Sequence, residues 1–485
     1  MRTLSQSPSS ASILCGVVAL IIATPMAAQQ SHSSKSASAV SHFEAGMAEM
    51  DKARRPQALD HFQRAVAADP AWGHAHLQLS YASLAAADRT LHLGHAVQHL
   101  ATATPAERLV IEAAKQSADR DQPGRLASLT KLVELTPNDP RAWLLHGAAL
   151  GQNNRAADAR LSYRKALEVA PDFAPALLAA INNYAVAPRD LPSAEGLARR
   201  WVQLDAQDAR AHGAMGRVMT LQARYAEALT SIDTQLRLDS TVFIRTARIV
   251  PLALMGDYGR ALQELDGVYA RADSGTKVNV AQQRVLVHAM RGDMGSAAEA
   301  AERGYADARA MRVSGRGAVA FIGLALVNSA WARGDAAAMT AAVAGWRRAA
   351  EGASLPADTA FARIVSSGLP QLAADGVAAA LRKDAAGARA IGAQYLASAG
   401  AFPAAGHEIM AMADLYDGKH ADAVAHFEQA FQTNMVTMYY RAMALYGAGR
   451  ASDAKPLFDR VANENVFRQA AILRDEARKK AAAIR

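Results

Sequence analysis

The chain of 485 residues has a single cysteine, Cys15. Everything downstream of it is therefore without disulfides, thiolate catalysis, cysteine-ligated zinc or iron–sulfur centres. Aromatic residues make up only 6% of the chain and strand formers are sparse, yet 51% of residues are hydrophobic. That apolar content is small and aliphatic, alanine above all. Alanine is the strongest helix former and lets helices approach closely, so an all-α fold is expected. Clustered charge of one sign is missing too: 53 Lys and Arg are interspersed with 45 Asp and Glu, a net +8. With no basic run to line up against phosphates, the composition argues against nucleic acid as a partner. Also absent are the H-E-x-x-H, G-x-S-x-G, phosphate-loop and dinucleotide-binding motifs. The stretch HEIMA at 407–411 begins like the first of these but carries Ala411 where the second histidine belongs. Neither an enzyme nor a cofactor is expected.

A leader-like apolar run stands at the beginning of the chain. Residues 1–28 hold Arg2, a Ser-rich patch, the run ASILCGVVALIIA and small residues up to Ala28. This is the layout of a secretory signal, and its apolar part falls short of the ~20 residues that cross a bilayer as a helix. Cleavage before Gln29 is expected, followed by a flexible polar linker over 29–40 and export across the inner membrane to the periplasm. Only an uncleaved signal would bring the chain to a membrane.

The most informative stretch is 140–173, PRAWLLHGAALGQNNRAADARLSYRKALEVAPDF. Trp143 and Gly147 stand in one helix, Ala159, Tyr163 and Ala166 in a second, and Pro171 closes the unit. Gly and Ala fall where paired helices come closest, and Trp143 and Tyr163 fill the remaining space. Related spacings recur with Gly46, Ala58, Phe62 and Ala65, with Ala194, Ala198 and Trp201, with Gly216, Ala228 and Ile232, with Ala423, Phe427 and Ala430, and with Ala454, Phe458 and Val461. Turns such as MGDYGRAL at 255–262, RGDMGSAA at 291–298 and RGDAAAMT at 333–340 use Gly for positive φ and Asp to cap the next helix. The second unit is read with a long inter-helix turn over ADRTLHLG at 87–94.

This pattern resembles the tetratricopeptide (TPR) repeat family, in its exported bacterial type. The resemblance implies a right-handed α-solenoid of about twelve antiparallel helix pairs over 41–464, a TPR-like superhelix, with a C-terminal capping helix over 465–485 to cover the last apolar face. It also implies a concave groove, lined by first helices, that binds a protein or peptide. Counted from the repeat positions that line it in relatives, the groove residues are Arg141, Leu144, Asn182, Asn183, Arg210, Arg217, Asn279 and Gln282. Guanidinium and amide groups of this kind suit an acidic peptide or a free carboxy-terminus.

A second reading starts from histidine. His92, His95 and His99 recur at helical spacing, and His61, His74 and His76 lie nearby in sequence. They are candidates for a metal site, and with it for a histidine-dependent metal-binding or hydrolytic protein on a helical frame. No metal is called for by the pattern itself, since two imidazoles four residues apart bind weakly without a third. His146, where the repeat wants an apolar residue, reads as a satisfied core histidine.

Overall fold

The computed structural model describes residues 32–186, 189–239, 246–311, 315–351, 353, 367–398, 403–466 and 468–484. The expected signal, residues 1–28 with its cleavage point at Ala28, lies outside them. Among the described residues there are twenty-five α-helices and no strand. They are α1 (Ala37–Asp51), α2 (Arg55–Ala68), α3 (Gly73–Ala82), α4 (Ala86–Gln98), α5 (Pro105–Ala118), α6 (Gln122–Leu135), α7 (Pro140–Gln152) and α8 (Ala156–Val169). Then follow α9 (Ala174–Ala185), α10 (Leu191–Leu204), α11 (Ala209–Leu221), α12 (Tyr225–Leu238), α13 (Ile249–Leu254), α14 (Tyr258–Tyr269), α15 (Ser274–Arg291) and α16 (Met294–Arg309). The last nine are α17 (Gly315–Arg333), α18 (Ala336–Glu351), α19 (Leu369–Leu381), α20 (Ala385–Ser398), α21 (Ala404–Tyr416), α22 (His420–Phe427), α23 (Met435–Gly447), α24 (Ala451–Ala462) and α25 (Ala470–Ala483). The chain forms two compact units, one of residues up to 155 with 165–173, the other of 156–164 with 174–485. Within each, successive helices pack as neighbouring pairs, the arrangement of a right-handed TPR-like α-solenoid.

Burial explains the repeat. A first helix is sandwiched between its own partner and the preceding pair, so α3 buries eight of its ten residues. A second helix faces the stack with one stripe, as α2 does with Ala58, Phe62 and Ala65, and α10 with Ala194, Ala198 and Trp201. Gly147 is buried. The equivalent glycines in other pairs show what the position demands. A Cβ on Gly46 would lie 2.6 Å from the Phe62 ring, and one on Gly216 would lie 2.6 Å from Ile232.

Helix starts follow side-chain caps. Thr104 and Glu107 form a reciprocal capping box at α5, with Pro105 in the first helical position. Asp139, Asp190, Asp208, Asp257, Asp273 and Asp293 each accept from an N–H of the helix they precede. The Gly-Asp turns behave as their sequences imply: Gly256, Gly292 and Gly334 have φ of 92°, 93° and 66°. The equivalent turn in other pairs puts non-glycine residues in the same left-handed region, among them Ala53 at 58° and Ala223 at 61°. A Cβ there is strained, so Ala223→Gly is expected to raise stability by roughly 0.5–1 kcal/mol after the extra chain entropy of glycine is subtracted. Urea unfolding of the single variant checks this, and a loss of stability would mean that the turn tolerates the Cβ.

Two local expectations change. ADRTLHLG is not a turn but lies wholly within α4; the inter-helix connection is only Ser83–Ala85. The Arg55 guanidinium explains the early stop of α3, since it donates to the carbonyls of Tyr81, Ala82 and Ser83 at 2.7–2.9 Å and takes over helix-end acceptors. Helix α1 begins at Ala37, inside the stretch read as linker, with Ser36 as its N-cap and Ser34 Oγ donating to Asp69.

Candidate functional site

The residues expected to line a groove divide between the two units. In the first, Arg141 donates two hydrogen bonds to the Asp51 carboxylate and lies over the Phe173 ring, 5.1 Å from its centroid. Leu144 is half-buried on the same helix. In the second unit, Asn183 Oδ1 accepts from Arg160 Nε at 2.8 Å. Arg210 turns back onto Asp208, donating from Nε at 2.9 Å and from Nη2 at 2.6 Å, and stacks over Trp201. These polar groups are engaged within the chain, which periodicity alone does not reveal.

Asn182 and Arg217 stand differently. They lie on α9 and α11, helices that pack together, and both are exposed. Arg217 makes no hydrogen bond or ion pair among the described residues, and desolvation holds its pKa below the usual arginine value. Asn279 is exposed on α15, while Gln282 of the same helix lines a pocket of about 250 Å³ with Gln283, Phe321, Asn328, Arg468 and Gln469.

That pocket depends on an unforeseen contact. The C-terminal helix α25 covers α24, as a cap does, but it also packs on α15 and α17. The segment before it is tied to the start of the second unit. Arg189 Nη2 pairs with the buried Glu464 at 2.8 Å, Tyr225 Oη donates to Asn465 Oδ1 at 3.1 Å, and Asn465 Nδ2 donates to the Leu221 carbonyl at 3.0 Å. Tyr440 Oη likewise donates to the Trp331 carbonyl at 2.9 Å, its ring stacked on the indole. Nothing periodic marks these residues in the sequence.

Three histidine-containing clusters bear on metal binding. In the first, His76 of α3 is surrounded by His92 and His95 of α4 and by His99, which follows that helix. Ring centroids lie 5.4, 5.0 and 6.2 Å from His76 respectively. His76 Nδ1 and His92 Nδ1 are 3.2 Å apart, and His76 Nε2 is 3.0 Å from the Pro70 carbonyl. Burial lowers the pKa of His76, as do the three neighbouring imidazoles, against a raising contribution from the Pro70 carbonyl. The sequence candidates are thus brought together, and His76 joins them. His61 does not; its ring faces His42 at 5.9 Å.

The second group is His32, His74 and Glu107, whose ligand atoms all lie within 4.8 Å of one another. Glu107 is already occupied. Its Oε1 accepts from Trp72 Nε1 at 2.9 Å and from the Ser33 N–H at 3.2 Å, and its Oε2 from the Thr104 N–H at 2.9 Å. Burial pushes the Glu107 pKa up, but the adjoining His74 and these donors outweigh it and hold the carboxylate well below its usual range. The arrangement pins residues 32–34 to α5 and caps that helix, a structural use of the carboxylate. The third group is the pair His407 and His426, with Nδ1 atoms 3.2 Å apart. Beside them Glu408, the second letter of HEIMA, turns inward and accepts from Thr437 Oγ1. His146 Nε2 lies 3.3 Å from Thr130 Oγ1 and is half-buried, with burial lowering its pKa.

No protein-family model matches the chain and no curated protein matches it. Several solved structures overlap parts of it. A tetratricopeptide repeat protein from Parabacteroides merdae shares 13% identity over 55% of this chain and 98% of its own, with a TM-score of 0.40. The Pseudomonas aeruginosa protein PilF shares 16% over 41% of this chain and 90% of its own, with a TM-score of 0.33. YrrB, described as a TPR protein with an unusual peptide-binding site, shares 19% over 37% of this chain and 91% of its own, with a TM-score of 0.28. At these identities the likeness is one of helix pairs and not of binding residues.

Proposed function

We propose that the chain is an exported, non-enzymatic interaction scaffold, acting in the periplasm, that holds an acidic peptide or a free carboxy-terminus against α9 and α11. The observation that carries this is Arg217, exposed, desolvated and without a partner among the described residues. A guanidinium has five donors in a planar fork, and in a partly dehydrated position it gains more from a carboxylate than it would in open water. Asn182, on the adjoining first helix, adds an amide able to donate to and accept from an extended backbone. The leader-like residues 1–28 support export. Among the described residues no helix is long and apolar enough to cross a membrane.

Fluorescence anisotropy with labelled peptides of matched length and opposite charge tests the reading. Acidic peptides are expected to bind in a salt-sensitive way, and Arg217→Glu is expected to weaken them by roughly tenfold or more, the size of a charge-assisted hydrogen bond. Arg199→Ala, which removes a guanidinium paired with Glu195 on α10, serves as the control and leaves binding unchanged. Equal binding of acidic and basic peptides, or equal losses in both variants, would refute the assignment.

A further inference from the structure

We infer that His32, His74 and Glu107 form a binding site for one divalent transition-metal cation of the zinc class, which fastens the segment ahead of α1 to α3 and α5.

The three side chains converge. Their ligand atoms all lie within 4.8 Å of one another. His74 Nδ1 and His32 Nδ1 stand 3.8 and 3.9 Å from Glu107 Oε1. A point equidistant from three atoms so spaced is at most about 2.8 Å from each, against ~2.0–2.2 Å for nitrogen and carboxylate ligands of zinc, so each closes by less than about 1 Å. His74 lies on α3 and Glu107 on α5, whereas His32 precedes α1 and is fixed by no helix, so it supplies most of that movement. Two imidazoles and a carboxylate, with one position left to water, suit zinc better than calcium or magnesium, which take all-oxygen sites.

Hydrogen bonding and charge agree. His74 Nδ1 is buried and has no hydrogen-bond partner among the described residues. At 3.8 Å it is too far from Glu107 Oε1 to make one. The other ring nitrogen, Nε2, lies 3.2 Å from the Gln78 side-chain amide. With the amide oxygen turned toward it, Nε2 carries the proton and donates to Gln78, the outer hydrogen bond that commonly orients a metal-bound imidazole, and the Nδ1 lone pair faces the carboxylate. Glu44 Oε1 stands on the outer side of the second imidazole, 3.8 Å from His32 Nε2. Glu107 is ionised and buried, yet among the described residues the groups within ion-pair distance of it are these two imidazoles, with no Lys or Arg. A buried carboxylate without a cation is costly, and the donors Trp72, Ser33 and Thr104 orient it without cancelling its charge. An ionised carboxylate has about four acceptor positions, so three donors leave room, and the Ser33 N–H at 3.2 Å is the longest contact and yields as His32 moves in. Aromatic rings enclose the site: His32 meets Phe43 and Trp72 edge-on with centroids 5.3 and 5.1 Å away, and Phe43 lies 4.8 Å from His74. The two imidazoles keep a small exposed edge, which gives an ion a way in from solvent.

The test is calorimetric titration of the full chain, stripped with chelator, with zinc chloride at neutral pH, repeated with cobalt chloride to read the visible bands of the bound ion. One equivalent is expected to bind. His32→Ala is expected to weaken binding by more than tenfold; the residue lies outside every helix, so circular dichroism should show parental helicity. Glu107→Gln, which keeps a carbonyl to accept from Trp72, gives an independent loss. Zinc is expected to raise the melting temperature of the parent and of neither variant. His92→Ala with His95→Ala, which removes two imidazoles of the neighbouring cluster, leaves binding unchanged. No stoichiometric binding by the parent, undiminished binding in His32→Ala, or loss in the His92/His95 variant instead would each overturn the assignment.

Discussion

Gly323→Leu is expected to destabilise the second unit by about 3 kcal/mol, the upper part of the range for overpacking a helix contact. Gly323 lies on α17 against the fully buried Trp346 of α18, and a Cβ there would come within 2.5 Å of two indole ring atoms. The indole is rigid and enclosed, so the strain cannot be relieved by swinging a flexible side-chain end away. Trp346→Ala alone is expected to cost about 3–5 kcal/mol through the cavity it leaves. The two changes together should cost less than the sum, because the leucine then enters the space the indole vacates. Urea unfolding of the two single variants and the double variant measures the coupling. Strict additivity would mean that α17 and α18 do not meet through these residues.

Glu408→Gln is expected to stabilise the protein above neutral pH and to leave it unchanged in mild acid. Glu408 is buried on α21, and burial raises its pKa to about 7, although the Thr437 hydroxyl donates to it and partly offsets the shift. In the unfolded chain the carboxyl titrates at its ordinary value near 4.5. Below that value both states are protonated and the group contributes no pH dependence. Between about 4.5 and 7 the unfolded state releases its proton first, so stability falls as pH rises; above 7 the full cost is present. At ~1.4 kcal/mol per unit this amounts to about 3.5 kcal/mol. Glutamine keeps the carbonyl that accepts from Thr437 and has no proton to lose, so its melting temperature should lack this fall. An identical decline between pH 5 and 7.5 in parent and variant would assign the pH dependence to another group.

The cluster of His76, His92, His95 and His99 shows how much a local pattern conveys. His92 and His95 are recognisable as one face of a helix from spacing alone, but His76 is a candidate there only by nearness in sequence, on the same footing as His61 and His74. Its place among them depends on the short connection at Ser83–Ala85 and on Arg55 ending α3. The residues expected to line a groove are the converse case. Repeat position selects Arg141 and Arg210 as readily as Arg217, yet Asp51 and Asp208 occupy the first two. A guanidinium takes whichever carboxylate the fold brings nearest, and Asp51 is distant from Arg141 in sequence.

By itself the sequence determined what acts over one repeat or less. Helices follow from alanine and leucine, their starts from Asp, Ser and Thr caps, their turns from Gly-Asp pairs, and close helix contacts from Gly46, Gly216 and the Ala–Phe stripes. Each depends on neighbours within a few tens of residues, and the repeat states them many times over. Tertiary structure alone decided which groups meet across many repeats: Glu464 with Arg189, Asn465 with Tyr225 and Leu221, Tyr440 with Trp331. The small rotation between successive helix pairs accumulates along the second unit until distant helices touch. That sum depends on the packing of every intervening pair, and no local residue pattern records it.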